Sequence, residues 1–281
     1  MSENLVRDVH DAVARSDSVV EASARPPATT PRELRAMERD VLRKLRLGAG
    51  TGVVEIGCGI GVLGVPVARR AARYVGLDFA PQAVEAARER LRAAGLEDRS
   101  RVLCIDVLSG GEEFDALGRF ERVLMYAVFH YARTESEAVC LLQRAFDLLT
   151  PGGRALIGNV PLSDLHVDWR APESVPPGLL PRLISAARWV MAPGAAAVPL
   201  TRRWKARRTV EALLESRSAP ARFVLPALPP GYTLSLTTAA VERWLAMVDG
   251  DFVHHWELPA PGVPMAVGRA DLIIERVQGR S

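Results

Sequence analysis

Val53-Val54-Glu55-Ile56-Gly57-Cys58-Gly59-Ile60-Gly61-Val62-Leu63-Gly64 is the stretch whose reading decides the fold. Its first residues are apolar and mostly β-branched, and they read as a buried strand with one carboxylate, Glu55, near its end. Gly57, Gly59 and Gly61 follow at alternate positions. A glycine has no Cβ, so it takes positive φ and lets a ligand approach the main chain. Val62, Leu63, Val65, Val67 and Ala68 suit a helix packing back on a sheet. Strand, glycine turn and helix in that order build a nucleotide-cofactor site at the C-terminal edge of a parallel sheet. Gly59, Gly61 and Gly64 also satisfy the G-x-G-x-x-G spacing of a dinucleotide turn. Glu55 argues against that ligand, because a carboxylate two residues before the first glycine repels a pyrophosphate and favours a cation.

Working outward, Thr30-Pro31-Arg32-Glu33 is a helix start with a cap, a proline at the first turn and a capping-box glutamate. Leu34, Met37, Val41, Leu42 and Leu45 give that helix one apolar face, and Gly48 is expected to end it. Tyr74 to Asp78 reads as a second strand, followed by Phe79 and a helix from Pro81 to about Ala94. A carboxylate at the end of this strand can accept hydrogen bonds from both hydroxyls of a ribose, in an NAD enzyme as well as in other nucleoside binders. Its alternative is a neighbour of the helix N-terminus, favourable with the dipole. Arg101 to Val107 reads as strand three, closed by Asp106. Glu55, Asp78 and Asp106 thus end three successive strands at the edge where open α/β sheets bind ligands. Strand four lies within Phe120 to Tyr131, a helix runs from about Glu135 to Leu149, and strand five spans Ala155 to Gly158. Thr237 or Thr238 caps a helix through Val248, and Phe252–Leu258 and Ala270–Val277 are strand-like.

The glutamate with its G-C-G-x-G run resembles motif I of the class I S-adenosylmethionine (SAM)-dependent methyltransferases. The aromatic–acidic pair Phe120-Glu121 opening strand four, the histidine after it, and Leu148-Leu149-Thr150-Pro151-Gly152-Gly153 resemble later motifs of the family in the same order. The resemblance covers residues from about 31 to 161. It implies an α/β fold: a doubly wound, Rossmann-like, seven-stranded sheet, mostly parallel with a C-terminal antiparallel hairpin, plus an inserted helical cap. It implies SAM as cofactor, with Glu55 near the methionine amino end and Gly57, Cys58, Gly59 and Gly61 making room for it. Asp78 and Phe79 fall at the nucleoside, Asp106 at the adenine amino group, and the amide of Val107 at the ring. Tyr126, ending strand four, reads either as a contact to the methionine portion or as core packing.

An acceptor hydroxyl benefits from a base, and His130 just past strand four is the candidate, against the alternative of a structural histidine. Asn159 ends strand five beside it and can orient a hydroxyl without acting as base. The Asn/Asp-Pro-Pro-aromatic motif of protein and nucleic-acid amino methyltransferases is absent, since Tyr126-Ala127-Val128-Phe129 stands there. The reading is therefore a methyltransferase acting on a small-molecule acceptor, a hydroxyl of a natural product or sugar. A non-catalytic SAM- or nucleoside-binding regulator and an NAD(P)-dependent oxidoreductase are the rivals.

The 281 residues, 48% hydrophobic, suffice for one elaborated domain. Residues 1–29 read as a tail or a short helix around Leu5 to Val13. Residues 30–161 form the SAM-binding core, 162–232 a proline-rich inserted cap with helices near 179–191 and 202–216, and 233–281 the closing helix and strand pair. A cap of this kind would shape an acceptor pocket and exclude water. The net charge of +3 does not suggest a nucleic-acid partner, no apolar run spans a membrane, and no signal-type stretch opens the chain. Cys58, Cys104 and Cys140 suggest a reducing, cytoplasmic compartment, with Cys58 and Cys104 as small buried residues. No metal site is expected: His254 and His255 point to opposite faces, and His166 and Asp168 lack further ligands. Arg202 to Arg208 reads as a solvated helix face or as a greeting for an acidic acceptor.

Overall fold

A computed structural model describes residues 30–48, 50–163, 236–260, 263 and 269–278, with Arg7, Asp11 and Ala14 of the N-terminal stretch. All of them belong to the unit Met1–His166 with Leu225–Ser281. The helices expected near 179–191 and 202–216, His166, Asp168 and the Arg202 to Arg208 cluster lie outside the described residues, as does most of the Leu5 to Val13 helix.

Helix α1 (Pro31–Leu45) opens on the expected capping box: Thr30 Oγ accepts from the Glu33 amide, and Glu33 Oε2 accepts from the Thr30 amide at 2.7 Å. It ends three residues before Gly48. Arg46 takes the left-handed conformation at φ 51° instead, and the carbonyls of Leu45 and Arg46 are satisfied by the Arg122 guanidinium at 2.6 and 2.9 Å. A side chain from strand four therefore replaces the glycine cap.

The strands are β1 (Gly52–Ile56), β2 (Arg73–Asp78), β3 (Ser100–Cys104), β4 (Phe120–Tyr126), β5 (Leu149–Pro161), β6 (Phe252–Glu257) and β7 (Arg269–Arg276). They form one seven-stranded sheet in the order β3-β2-β1-β4-β5-β7-β6. The first five are mutually parallel, and β7 runs antiparallel to both β5 and β6. The order reverses after β1, so β1 and β4 flank the switch point where such sheets bind ligands. One face packs Val54, Ile56, Leu77, Met125 and Ile157 against helices α5 (Glu135–Asp147) and α6 (Thr238–Leu245). The other packs Val53, Tyr74, Leu124 and Leu156 against α1, α2 (Gly64–Ala68) and α3 (Pro81–Ala93). A fourth helix, α4 (Glu112–Asp115), is a single turn. Strands buried on both faces explain why β1 and β4 read as continuous apolar runs.

Two strand boundaries and the burial of one cysteine differ from the sequence reading. β3 stops at Cys104: its partner β2 ends at Asp78, whose carbonyl takes the last ladder bond from the Ile105 amide (2.9 Å), and the Asp106 side chain then turns the chain, so Asp106 lies two residues past the strand. β5 is longer than Ala155–Gly158: it starts at Leu149, bulges between Ile157 and Val160, and continues to Pro161. Cys104 is exposed rather than buried, because β3 is the sheet's edge strand and one face is open; Cys58 is buried as expected. Ser163 donates to Leu236 O through its amide (2.8 Å) and hydroxyl (3.0 Å), so the two ends of the stretch between them meet.

The sheet's closing pair is tied to α1 by a buried ion cluster. Lys44 Nζ, fully buried, bonds Asp40 Oδ2 at 2.8 Å, the Asp271 carboxylate, and Leu258 O at 3.0 Å. Asp40 also accepts from the Ala260 amide. Among the described residues no helix is long and apolar enough to cross a membrane, and no group of three or more His, Cys, Asp or Glu is placed to hold a metal. His254 and His255 alternate across β6, and His254 Nε2 pairs with Glu242 at 2.7 Å.

Lys44→Met should leave two carboxylates buried without their cation and lower stability by roughly 3–5 kcal/mol in urea titration. Arg43→Met, which removes an exposed partner of the same Asp40, should cost under about 1 kcal/mol.

Candidate active site

The glycine turn is stapled to the end of β2. The amides of Gly57 and Cys58 both donate to Leu77 O, at 2.7 and 3.0 Å. The Gly59 amide donates to Asp78 Oδ2 at 2.7 Å, while Asp78 Oδ1 accepts from the Ala80 amide at 3.0 Å, where α3 begins. Asp78 is therefore more than a ligand candidate: it holds the turn and the next helix in one register.

Gly57, Gly59 and Gly61 all have positive φ, at 70°, 50° and 78°. They differ in surroundings. A Cβ on Gly57 would overlap Val128, and one on Gly61 would meet Ala87 at 3.3 Å. A Cβ on Gly59 would meet nothing within 4 Å. The backbone of Gly59, held by Asp78, thus borders open space at the sheet edge, which is the cradle a nucleoside cofactor needs.

Glu55 is buried beneath this turn and accepts from the Tyr74 hydroxyl at 2.6 Å. Burial, reinforced by Asp78 and Glu55, pushes the Cys58 thiol well above its ordinary value, so it stays neutral. Burial and Glu55 do the same to Tyr74, which remains a protonated donor. Asp106 is exposed and accepts from the Leu108 amide (3.0 Å) and Ser109 Oγ (2.9 Å); Val107 packs its side chain into the core, leaving its backbone for a ligand. Phe79 is half-buried just past β2. The N-terminal stretch reaches this edge too. Asp11 accepts from the Gln82 amide at 2.9 Å, Ala14 packs on Ile60, Ala80 and Ala83, and Arg7 and Asp11 are helical.

On the other side of the switch point, Tyr126 is buried at the end of β4, and Ala127 takes φ 60° with its amide on Gly158 O. A 3₁₀ turn at Phe129–Tyr131 carries His130, whose ring lies on that of Tyr131 with centroids 4.3 Å apart. Asn159 sits in the β5 bulge at φ 59°. Its amide N–H donates to Asp271 Oδ1 at 2.7 Å and its carbonyl accepts from Arg269 Nη1 at 2.9 Å. The residue is 9% exposed, and its side-chain amide has no hydrogen-bond partner among the described residues. Burial pushes the Tyr131 phenol up; Asp78 adds to this and Arg269 opposes it, so Tyr131 lies within electrostatic reach of both halves of the site. Burial also raises the Asp271 carboxyl, against the pull of Lys44 and the Asn159 amide.

The structure thus gathers Gly57, Cys58, Gly59, Gly61, Glu55, Asp78 and Phe79 at the ends of β1 and β2, and Tyr126, His130 and Asn159 at the ends of β4 and β5. Asp106 and Val107 stand one strand further out. Tyr74, Tyr131, Arg269 and Asp271 were missed by sequence reasoning. Only Tyr131 left a signal, its place next to His130; the others meet the site from distant segments.

A doubly wound sheet closed by a reversed hairpin, with an acid-flanked glycine turn at its switch point, defines a nucleoside-binding α/β protein. A family model described as a methyltransferase domain matches residues 54–155. Over 175 residues the chain is 34% identical to a ubiquinone biosynthesis O-methyltransferase of Methylobacterium sp. (strain 4-46), covering 57% of this chain and 69% of that one. It is 31% identical over 142 residues to the erythromycin 3''-O-methyltransferase of Saccharopolyspora erythraea, covering 48% of this chain but only 42% of that relative. Among solved structures, magnesium protoporphyrin IX methyltransferase from Synechocystis PCC 6803 superposes with a TM-score of 0.53 over 98% of this chain and 100% of that one, at 14% identity. The N-methyltransferase NodS from Bradyrhizobium japonicum WM9 superposes with a TM-score of 0.52 over 98% and 99%, also at 14% identity. The chain belongs to the class I SAM-dependent methyltransferases, and S-adenosylmethionine is its cofactor.

The glycine turn separates folding from binding. Gly57→Ala should destabilise the protein by roughly 2–4 kcal/mol through the Val128 overlap and positive φ. Gly59→Ala should cost only about 1 kcal/mol of stability, since its Cβ enters open space. It should nevertheless weaken cofactor binding by about tenfold or more, which is ~1.4 kcal/mol. Thermal melts and calorimetry with S-adenosylhomocysteine (SAH) read the two effects apart.

Proposed function

We propose that the protein transfers the methyl group of SAM to a hydroxyl of a small-molecule acceptor, a natural product or a sugar. The observation that carries this reading is the grouping of His130, Tyr131, Tyr126 and Asn159 on segments that abut the glycine turn, where Val128 touches Gly57. The O-methyltransferase names of the ubiquinone and erythromycin relatives support a hydroxyl acceptor.

The bound cofactor supplies an electrophilic methyl on a sulfonium sulfur. The chain's own residues have simpler tasks. Asp78, already fixed by two amides, binds the ribose hydroxyls, and Glu55 beneath the turn lends negative potential toward the sulfonium side. Asn159 orients the acceptor hydroxyl through its uncommitted amide. His130, as neutral imidazole, takes the hydroxyl proton as the oxygen bonds carbon. Orientation of acceptor and methyl for in-line approach supplies most of the acceleration.

In this reading residues 30–161 and 233–281 form the SAM-binding core, and 162–232 form an insert that covers the acceptor. The meeting of Ser163 with Leu236 supports an insertion that leaves and re-enters the core at one place. The three free cysteines agree with a reducing, cytoplasmic setting.

Calorimetry should detect SAM and SAH binding and none by NAD; the reverse would discard the reading. Asp78→Ala should weaken SAH binding by about 1.5–3 kcal/mol, the scale of hydrogen bonds to a charged group. An unchanged affinity would reduce Asp78 to a support for the turn.

With a hydroxyl acceptor, His130→Ala should lower kcat by roughly 10²–10⁴-fold and remove the limb of the pH–rate profile that a catalytic base provides. SAH affinity should hold, since the nucleoside contacts lie on other strands. Loss of SAH binding would instead mark His130 as structural.

A further inference from the structure

Arg269 is the first residue of β7, and because β7 is antiparallel to β5 it stands at the same edge as the C-terminal ends of β1, β2, β4 and β5. It pairs in register with Pro161. Its guanidinium is half-buried, with Tyr126 and Tyr131 as its electrostatic neighbours. A guanidinium carries five N–H donors in a planar fork. Among the described residues it makes one side-chain hydrogen bond, Nη1 to Asn159 O at 2.9 Å. Among the described residues no carboxylate pairs with it. Asp271, two residues along the same strand, is taken up by Lys44 and the Asn159 amide. Burial presses against the arginine's charge, and only the two tyrosines act in the other direction.

Two buried cations among the described residues have carboxylate partners: Lys44 is held by Asp40 and Asp271, and Arg154 by Glu275. Arg269 has none among the described residues, although burying a charge without a partner is costly. Its neighbour in the bulge, Asn159, likewise keeps an uncommitted side-chain amide. The two lie together beside Tyr126 and Tyr131, on the acceptor side of the switch point. A planar fork next to an amide with no partner among the described residues suits an oxyanion.

We propose that Arg269, with Asn159, recognises an anionic oxygen group, a carboxylate or a phosphate, carried by the methyl acceptor. This rests on the methyltransferase reading above and adds the charge class of its substrate. The same chemistry could be met by the carboxylate of the cofactor's own methionine portion. Arg269 is then a specificity residue for the cofactor and not for the acceptor, and the experiment separates the two.

The protein is titrated calorimetrically with SAH, then, at saturating SAH, with benzoate, phenyl phosphate and neutral benzamide at pH 7.5 in 0.1 M salt. At least one anion should bind roughly tenfold or more tightly than benzamide, the scale of charge-assisted hydrogen bonds. Arg269→Gln should erase that preference while SAH affinity stays within about twofold, and Arg269→Lys should retain part of it because the charge remains. Circular dichroism checks that both variants fold; the anion-to-benzamide comparison on the unaltered protein needs neither. Equal or absent binding of all three probes while SAH binds would overturn the proposal and leave methyl transfer standing. Loss of SAH binding in Arg269→Gln would assign the arginine to the cofactor's carboxylate and also overturn it. Failure of SAH to bind the unaltered protein would sink the methyltransferase reading, and this one with it.

Discussion

The ammonium of Lys44 is the group on which the rest of the structure turns. It is buried on α1 between Asp40 of its own helix and Asp271 of β7, and it also holds the carbonyl of Leu258. A cation so placed must be matched by charge and hydrogen bonds, or the helix cannot dock. Matching it fixes where β7 lies. Asp271 then spends its other oxygen on the Asn159 amide, at the point where β5 bulges. Docking of the first helix, closure of the sheet and the backbone at the end of β5 are therefore parts of one electrostatic arrangement.

Asp78 does the corresponding work on the cofactor side. Its two oxygens hold the Gly59 amide and the first turn of α3, so the glycine turn is shaped before any ligand arrives. Such preorganisation lowers the cost of binding, because fewer torsions remain to be fixed. Two non-glycine residues with positive φ, Ala127 and Asn159, sit at the ends of β4 and β5. Backbone of that kind persists only where surrounding bonds overdetermine it. Here the Ala127 amide is held by Gly158 O, and Asn159 by Asp271 and Arg269.

The two halves of the edge use different materials. The ends of β1 and β2 present main-chain amides and carboxylates. The ends of β4 and β5, with the start of β7, present aromatic rings, a histidine, an amide and a guanidinium. The boundary runs between β1 and β4, where the strand order reverses and the loops diverge to leave a crevice.

The sequence by itself determined whatever depends on neighbours along the chain. The Thr30 and Glu33 capping box, the strand-ending acids Glu55 and Asp78, the glycines of the turn and the Thr237 cap are all local patterns, and the structure carries each of them. The seven-stranded sheet with its reversed hairpin came from the resemblance to methyltransferases that those patterns carry, and the structure has it. Where a boundary differed, a non-local partner had intervened: Arg122 finished α1 in place of Gly48, and the edge position of β3 left Cys104 exposed. What only the tertiary structure decided is the pairing of side chains from distant segments. Tyr74 meets Glu55 because β2 lies beside β1, Lys44 meets Asp271 across 227 positions, and Arg269 meets Asn159 across 110. No periodicity encodes those meetings. They arise when strand order brings the segments together, and burial then makes each polar group find the partner that packing has placed within reach.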